Sequence, residues 1–248
     1  EVCENEKPDG VLVVGDVNST MACSLVASKM VIKIIHLEAG LRSFDRTMPE
    51  EINRIVTDSL ADLLLTPSVD ANENLKREGV SDIKIHLVGN IMIDTLYRYL
   101  PLAEKSDILK HLNVEPKSYV LVTLHRPNNV DDAGHLSEIL SSLEKLSSKI
   151  KIIFPVHPRT RKNIEQQNLQ KFLKKLIVTE PLGYLEFQKL MTNAKLVITD
   201  SGGIQEEAPT FGVPVLVMRD SSERPEGISA GAASLVGTDI KLIVSRAQ

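Results

Sequence analysis

The chain has 248 residues, 42% hydrophobic and 25% charged, a balance that excludes disordered, collagen-like and disulfide-built classes. With 29 basic against 33 acidic residues and no tryptophan, it has neither a basic field nor an aromatic platform for nucleic acid. Cys3 and Cys23 lack metal or dithiol spacing and no apolar run reaches membrane length, so the expectation is a cytoplasmic protein with reduced thiols, no metal and no membrane partner.

Short apolar runs alternate with amphipathic stretches: 11–14, 32–36, 63–65, 83–88, 119–123, 152–154, 196–198 and 215–217. Runs without strict apolar–polar alternation indicate strands covered on both faces, and the fold class is α/β with parallel sheets. The first residues, 1–7, read as a helix end feeding the strand at Val11, which leaves the first sheet three or four strands. A polar stretch with Pro101 and Pro116 at its ends reads as a linker over 101–118, between an N-terminal domain at 1–100 and a C-terminal one at 119–248. Two such halves would leave a ligand cleft between them.

Ligands of parallel sheets sit at the carboxyl ends of strands, which directs attention to the turns there. Asp16 follows the first run, where an acid serves either chemistry or a helix cap. Glu38 in His36-Leu37-Glu38-Ala39-Gly40-Leu41-Arg42-Ser43 follows the second; a carboxylate there suits acid–base work, and an ion pair with Arg42 explains it equally. Pro49-Glu50-Glu51-Ile52-Asn53-Arg54 opens a helix, and Thr47 to Glu50 fits a capping box. Glu50 and Arg54, four apart, also share a face.

His125-Arg126 and His157-Pro158-Arg159 each put a titratable ring and a guanidinium after a strand, a pairing that favours an anionic ligand. Asp200-Ser201-Gly202-Gly203-Ile204-Gln205-Glu206-Glu207 lies between a strand and a helix. Its glycines let backbone N–H groups approach a phosphate, and Glu207, a turn on, is placed to take ribose hydroxyls. A tight turn with a serine cap explains the same residues. Nucleotide-binding, ATP-hydrolysing and esterase motifs of the usual kinds are missing. Acids with anion binders suit a phosphorylated sugar or nucleotide sugar undergoing proton transfer at carbon.

These segments, with Gly15-Asp16-x-Asn18-Ser19-Thr20, Gly89-Asn90 and Glu223-Arg224-Pro225, resemble those of the non-hydrolysing UDP-N-acetylglucosamine 2-epimerases, in the family's order over essentially the whole chain. The resemblance implies two Rossmann-like domains in the GT-B arrangement, UDP held mainly by the C-terminal one, and no redox cofactor. It implies interconversion of UDP-N-acetylglucosamine and UDP-N-acetylmannosamine through anti elimination of UDP and re-addition to a 2-acetamidoglucal. Asp16, Glu38, Glu50 and His125 match the family's catalytic positions. Glu207 matches its ribose-binding carboxylate and Ser201 and Gly202, with Gly203 beside them, its phosphate contacts. Arg54, His157 and Phe187 match further substrate-side positions. Family members are often dimers, which makes a homodimer an option. Three departures stand out: the family's Gly-x-Arg-Pro turn is not found before Val11, which leaves the N-terminal domain incomplete; the return helix expected after Ile240 is missing; and Asn128 stands where many relatives carry glutamate. Two other functions therefore stay open, a UDP-sugar-binding module without turnover and a GT-B glycosyltransferase.

Overall fold

The computed structural model describes residues 1–219, 227–228 and 231–237. Among them the chain forms two compact units, residues 1–91 and 92–248, each a parallel sheet with helices, as the α/β reading expects.

In the first unit the elements run α1 (Val2–Glu6), β1 (Gly10–Val14), α2 (Asn18–Lys29), β2 (Lys33–Leu37), α3 (Pro49–Leu60), β3 (Leu63–Thr66), α4 (Val69–Arg77) and β4 (Ile85–Leu87). The four strands pair in chain order, so β2 and β3 are central and β1 pairs with β2 alone among the described residues. Val13, Ile34 and Leu64 meet Ala27 of α2 and Leu75 of α4 in the core. Leu12 and Val14 on β1 and Leu25 and Val26 on α2 remain exposed.

In the second unit, α5 (Ile91–Ala103) and α6 (Ile108–His111) precede β5 (Tyr119–Thr123), α7 (Pro127–Val130), α8 (Ala133–Ser147), β6 (Lys151–Pro155) and α9 (Pro158–Gln166). β7 (Ile177–Thr179), α10 (Tyr184–Asn193), β8 (Leu196–Thr199), α11 (Ile204–Thr210), β9 (Val215–Val217) and β10 (Ala233–Leu235) follow. The sheet order is β10-β9-β8-β5-β6-β7. Side chains on a strand alternate faces, and both faces are covered: Val120, Val122, Ile152, Phe154 and Ile198 enter one apolar cluster, Tyr119, Leu121, Ile153 and Val197 the other. The sheet grows outward in both directions from β5 and β8, and the crevice beside such a reversal is where parallel sheets bind ligands.

The division between units falls ahead of the 101–118 segment expected to link them. Pro101 lies inside α5 and does not end it. Leu96, Ile108 and Val114 are buried in the second unit's core, and Gln188 Nε2 donates to Leu96 O at 2.6 Å. Apolar burial, rather than proline punctuation, assigns this stretch to the second unit.

Candidate functional site

In the first unit the chain leaves β1 through Gly15, whose φ of 67° is left-handed and whose N–H donates to Leu37 O at 3.0 Å. Asp16 follows. Val17 takes the N-cap position of α2 with no side-chain cap, so Asp16 has another task than capping. Its Oδ2 lies 2.6 Å from Arg54 Nη1, and its backbone oxygen accepts from Asn53 Nδ2 at 2.8 Å. Burial pushes the Asp16 carboxyl above its ordinary value; the Arg54 charge opposes this, and the negative charges of Glu38 and Glu50 reinforce it. The structure thus brings Asp16, Glu38, Glu50 and Arg54 within electrostatic reach of one another.

Glu38 leaves β2 with a φ of 73°, a region that costs a non-glycine residue about 1–3 kcal/mol. Backbone bonds from Glu38 N and Ala39 N to Leu65 O, 3.0 and 3.1 Å long, hold that turn. A Cβ placed on Gly15 would lie 3.4 Å from Glu38 Oε2, so the two acid-bearing turns touch. Arg42, offered by the sequence as a partner for Glu38, turns instead to Asp58 and Glu78, at 2.7 and 2.6 Å.

α3 begins at Pro49 with Met48 as N-cap, and Thr47 binds Asp45, so the capping box expected from Thr47 to Glu50 does not form. Glu50 is exposed in the first turn. Its neighbour Glu51 is buried, accepts from Ser43 N, Phe44 N and Arg54, and has its carboxyl lowered because those donors outweigh the burial that would raise it. Arg54, 4% exposed, is therefore aimed at Asp16 by a carboxylate one helical turn before it. Sequence reading passed over Glu51 because an acid in a first helical turn already has a sufficient explanation.

In the second unit His125 follows β5. Its Nδ1 lies 2.8 Å from Asp200 Oδ1, and Asp200 Oδ2 accepts from His125 N at 2.9 Å, Arg126 N at 2.8 Å and Asn129 Nδ2 at 3.2 Å. Asp200 is fully buried; burial would raise its carboxyl, but the His125 ring and the two backbone N–H groups together hold it below the ordinary value. Asp200 stands in the motif read from the sequence, but its role is not legible there because its partners lie 71 to 75 positions away.

The His157 ring centroid is 5.7 Å from that of His125; His157 caps α9, its Nδ1 accepting from Arg159 N at 3.2 Å. Thr123 and Thr199, at the ends of β5 and β8, join hydroxyls at 2.6 Å, and Thr199 Oγ1 also accepts from Ser201 N at 3.0 Å. The Ser201–Gly203 turn is thereby fastened next to His125. Gly203, not Ser201, is the N-cap of α11, so the serine-cap explanation fails. Glu207 in the first turn of α11 is half-buried, and burial raises its carboxyl. Phe187 on α10 packs against the second core. Glu223-Arg224-Pro225 and the segment after Ile240 lie outside the described residues. Among the described residues no group of three or more His, Cys, Asp or Glu could hold a metal ion.

An acid cluster at strand ends in one unit, and His125 paired with buried Asp200 beside a glycine turn in the other, are the groups an α/β acid–base enzyme uses. The family model described as UDP-N-acetylglucosamine 2-epimerase matches residues 1–248. A UDP-N-acetylglucosamine 2-epimerase of Methanococcus maripaludis is 45% identical over 99% of this chain and 69% of its own length. A UDP-2,3-diacetamido-2,3-dideoxy-D-glucuronate 2-epimerase of Pseudomonas aeruginosa is 42% identical over 100% of this chain and 69% of its own. The crystal structure of the Methanocaldococcus jannaschii UDP-GlcNAc 2-epimerase in complex with UDP-GlcNAc and UDP is similar with a TM-score of 0.89 at 44% identity, covering 99% of this chain and 70% of that one. The chain belongs to the UDP-N-acetylglucosamine 2-epimerase family. The GT-B class of two Rossmann-like units, expected from the sequence, is the class of its solved relatives.

Proposed function

We propose that this chain epimerises C2 of UDP-N-acetylglucosamine reversibly, giving UDP-N-acetylmannosamine. The observation that carries the reading is the cluster of Asp16, Glu38 and Glu50 in a chain of this family, with Asp16 raised by burial and by the two other carboxylates. A carboxylate removes the C2 proton, the electron pair becomes a C1–C2 double bond, and the C1–oxygen bond breaks as UDP departs. UDP then adds back to C1 while C2 takes a proton on the opposite face, so the sum is an isomerisation that consumes no oxidant or reductant.

Proton transfer falls to Asp16, Glu38, Glu50 and His125. Burial, Glu38 and Glu50 favour the protonated form of Asp16, against the pull of Arg54. The Ser201 hydroxyl and the backbone N–H groups of Gly202 and Gly203 receive the diphosphate and Glu207 the ribose hydroxyls, with Arg54, His157 and Phe187 on the substrate side. No helix among the described residues is long and apolar enough to cross a membrane. A cytoplasmic location and the option of a homodimer come with the family resemblance.

Proton NMR of UDP-N-acetylglucosamine with the protein in D2O tests this. Loss of the C2 proton signal with growth of UDP-N-acetylmannosamine is expected. UDP binding without exchange would replace the reading with that of a binding module, and sugar transfer to an acceptor with that of a glycosyltransferase.

A further inference from the structure

Beneath the two acid-bearing turns of the first unit lies a set of charged side chains to which the proposed reaction gives no task. His36 on β2 is fully buried. Its Nδ1 lies 2.6 Å from Asp58 Oδ1 and its Nε2 lies 2.9 Å from Gly15 O, the carbonyl just before Asp16. Asp58, on α3 and also buried, accepts through Oδ2 from Gly40 N at 3.1 Å and from Arg42 Nη1 at 2.7 Å. Gly40 is two residues beyond Glu38. Arg42 is held in turn by Glu78 through two bonds of 2.7 and 2.6 Å and by Leu41 O at 2.7 Å.

A single carboxylate therefore reaches both turns. Through His36 it fixes the carbonyl that precedes Asp16, and through Gly40 N it fixes the loop that follows Glu38. Both ring nitrogens of His36 face acceptors. Arg42 is paired with buried Asp58 on one side and with Glu78, 40% exposed, on the other. Core packing alone does not call for His36, Asp58 and Arg42 beneath two loops. Apolar residues of similar volume would support a sheet at no electrostatic cost, whereas directional bonds to Gly15 O and Gly40 N specify where those two turns sit.

We propose that Asp58, acting through His36 and Gly40, is a positioning residue that sets the separation of Asp16 from Glu38. This rests on the epimerase reading for its catalytic consequence, though not for its structural one.

Asp58→Ala removes both acceptor oxygens, and a misplacement of the order of 1 Å at a reacting group costs about 10²-fold in rate. The expected outcome is a fall of that size in kcat for C2 hydrogen exchange, with KM for UDP-N-acetylglucosamine little changed. Two histidine variants separate position from general damage. His36→Gln carries an amide N–H to the place of Nε2 and keeps the bond to Gly15 O; His36→Asn reaches only the place of Nδ1 and loses it. His36→Gln should retain most of the rate that His36→Asn loses. Asp62→Asn is the control: Asp62 also holds a backbone N–H, that of Ile34 at 3.0 Å, but at the opposite end of β2, and its rate should stay within about twofold of wild type.

Amide hydrogen exchange of the same proteins reads the geometry without reference to turnover. In Asp58→Ala, residues 14–18 and 38–42 should lose protection together while β3 keeps its own. If the wild-type chain shows no C2 exchange, the epimerase reading falls and amide exchange alone decides. Loosening of one turn only, or of neither, overturns the proposal. So does equal activity of the two His36 variants in an active enzyme.

Discussion

Replacing Asp200 by asparagine separates the two services that this carboxylate performs for His125. Oδ2 takes the N–H groups of His125 and Arg126 at 2.9 and 2.8 Å and the Asn129 amide at 3.2 Å, and an asparagine carbonyl oxygen in its place accepts the same three. Oδ1 takes His125 Nδ1 at 2.8 Å, and there the variant presents an amide N–H. Two donors cannot face each other at that distance, so the ring turns its Nδ1 lone pair to the amide and carries its proton on Nε2. On the proposed role of His125, the atom that would accept a proton becomes a donor. One charge-assisted bond becomes a neutral one, a loss of about 1–2 kcal/mol. The rate should fall about 10²–10⁴-fold, the range of a general acid–base contribution. The stability cost has a pH signature. Because the folded Asp200 carboxyl lies below its unfolded value, its stabilisation is present above the unfolded value and is lost as pH falls through the folded one. Urea unfolding should therefore show the gap between wild type and Asp200→Asn at neutral pH and its closure in acid. C2 exchange by NMR reads the rate and calorimetry the UDP affinity, which should not change. A variant that exchanges C2 hydrogen as fast as wild type would refute the assignment of ring orientation to Asp200.

Two further expectations follow from local geometry. Gly40 and Gly79 both have left-handed φ, 81° and 85°, but a Cβ on Gly40 would lie 2.5 Å from Ala71 O whereas one on Gly79 meets nothing within 4 Å. Gly79→Ala should cost about 1–2 kcal/mol from φ alone and Gly40→Ala clearly more, and equal urea midpoints would show that the Ala71 carbonyl yields freely. Glu207→Gln should weaken UDP binding about tenfold by calorimetry, as expected for one lost bond to a charged group. Since burial raises the Glu207 carboxyl, that group's contribution to stability declines as pH rises through its folded value, and the variant's thermal midpoint should gain on wild type over that interval.

Much of this architecture is legible in the sequence because strands covered on both faces are written as plain apolar runs. Runs 119–123 and 215–217 coincide with β5 and β9, and the other six overlap β1, β2, β3, β4, β6 and β8 within a residue or two at most ends. β7 and β10 escape notice because Ile177-Val178-Thr179 and Ala233-Ser234-Leu235 mix polar or small residues into three positions, whereas β9, equally short, is apolar throughout. Asp16, Glu38 and the Ser201–Gly203 turn are visible because they end strands, the one position where topology and sequence give the same indication. Asp58 and Glu51 are not. Glu51 sits in a first helical turn, where an acid is already explained, and Asp58 in the last turn of the same helix finds its partners His36, Gly40 and Arg42 on β2 and the loop that follows it. The linker misplaced at 101–118 has a similar origin, since Pro101 marks a break only where no core holds the helix on.

The one-sided pairing of β1 also bears on how this protein behaves in a concentrated solution. A strand with an unpaired edge offers a row of backbone donors and acceptors to any extended chain, and here the row is bordered by Leu12, Val14 and Val26, each 45–55% exposed. No lysine, proline or bulge within Gly10–Val14 blunts it. Among the described residues this edge is open to an extended segment of another molecule, which can continue the sheet a few residues from Asp16.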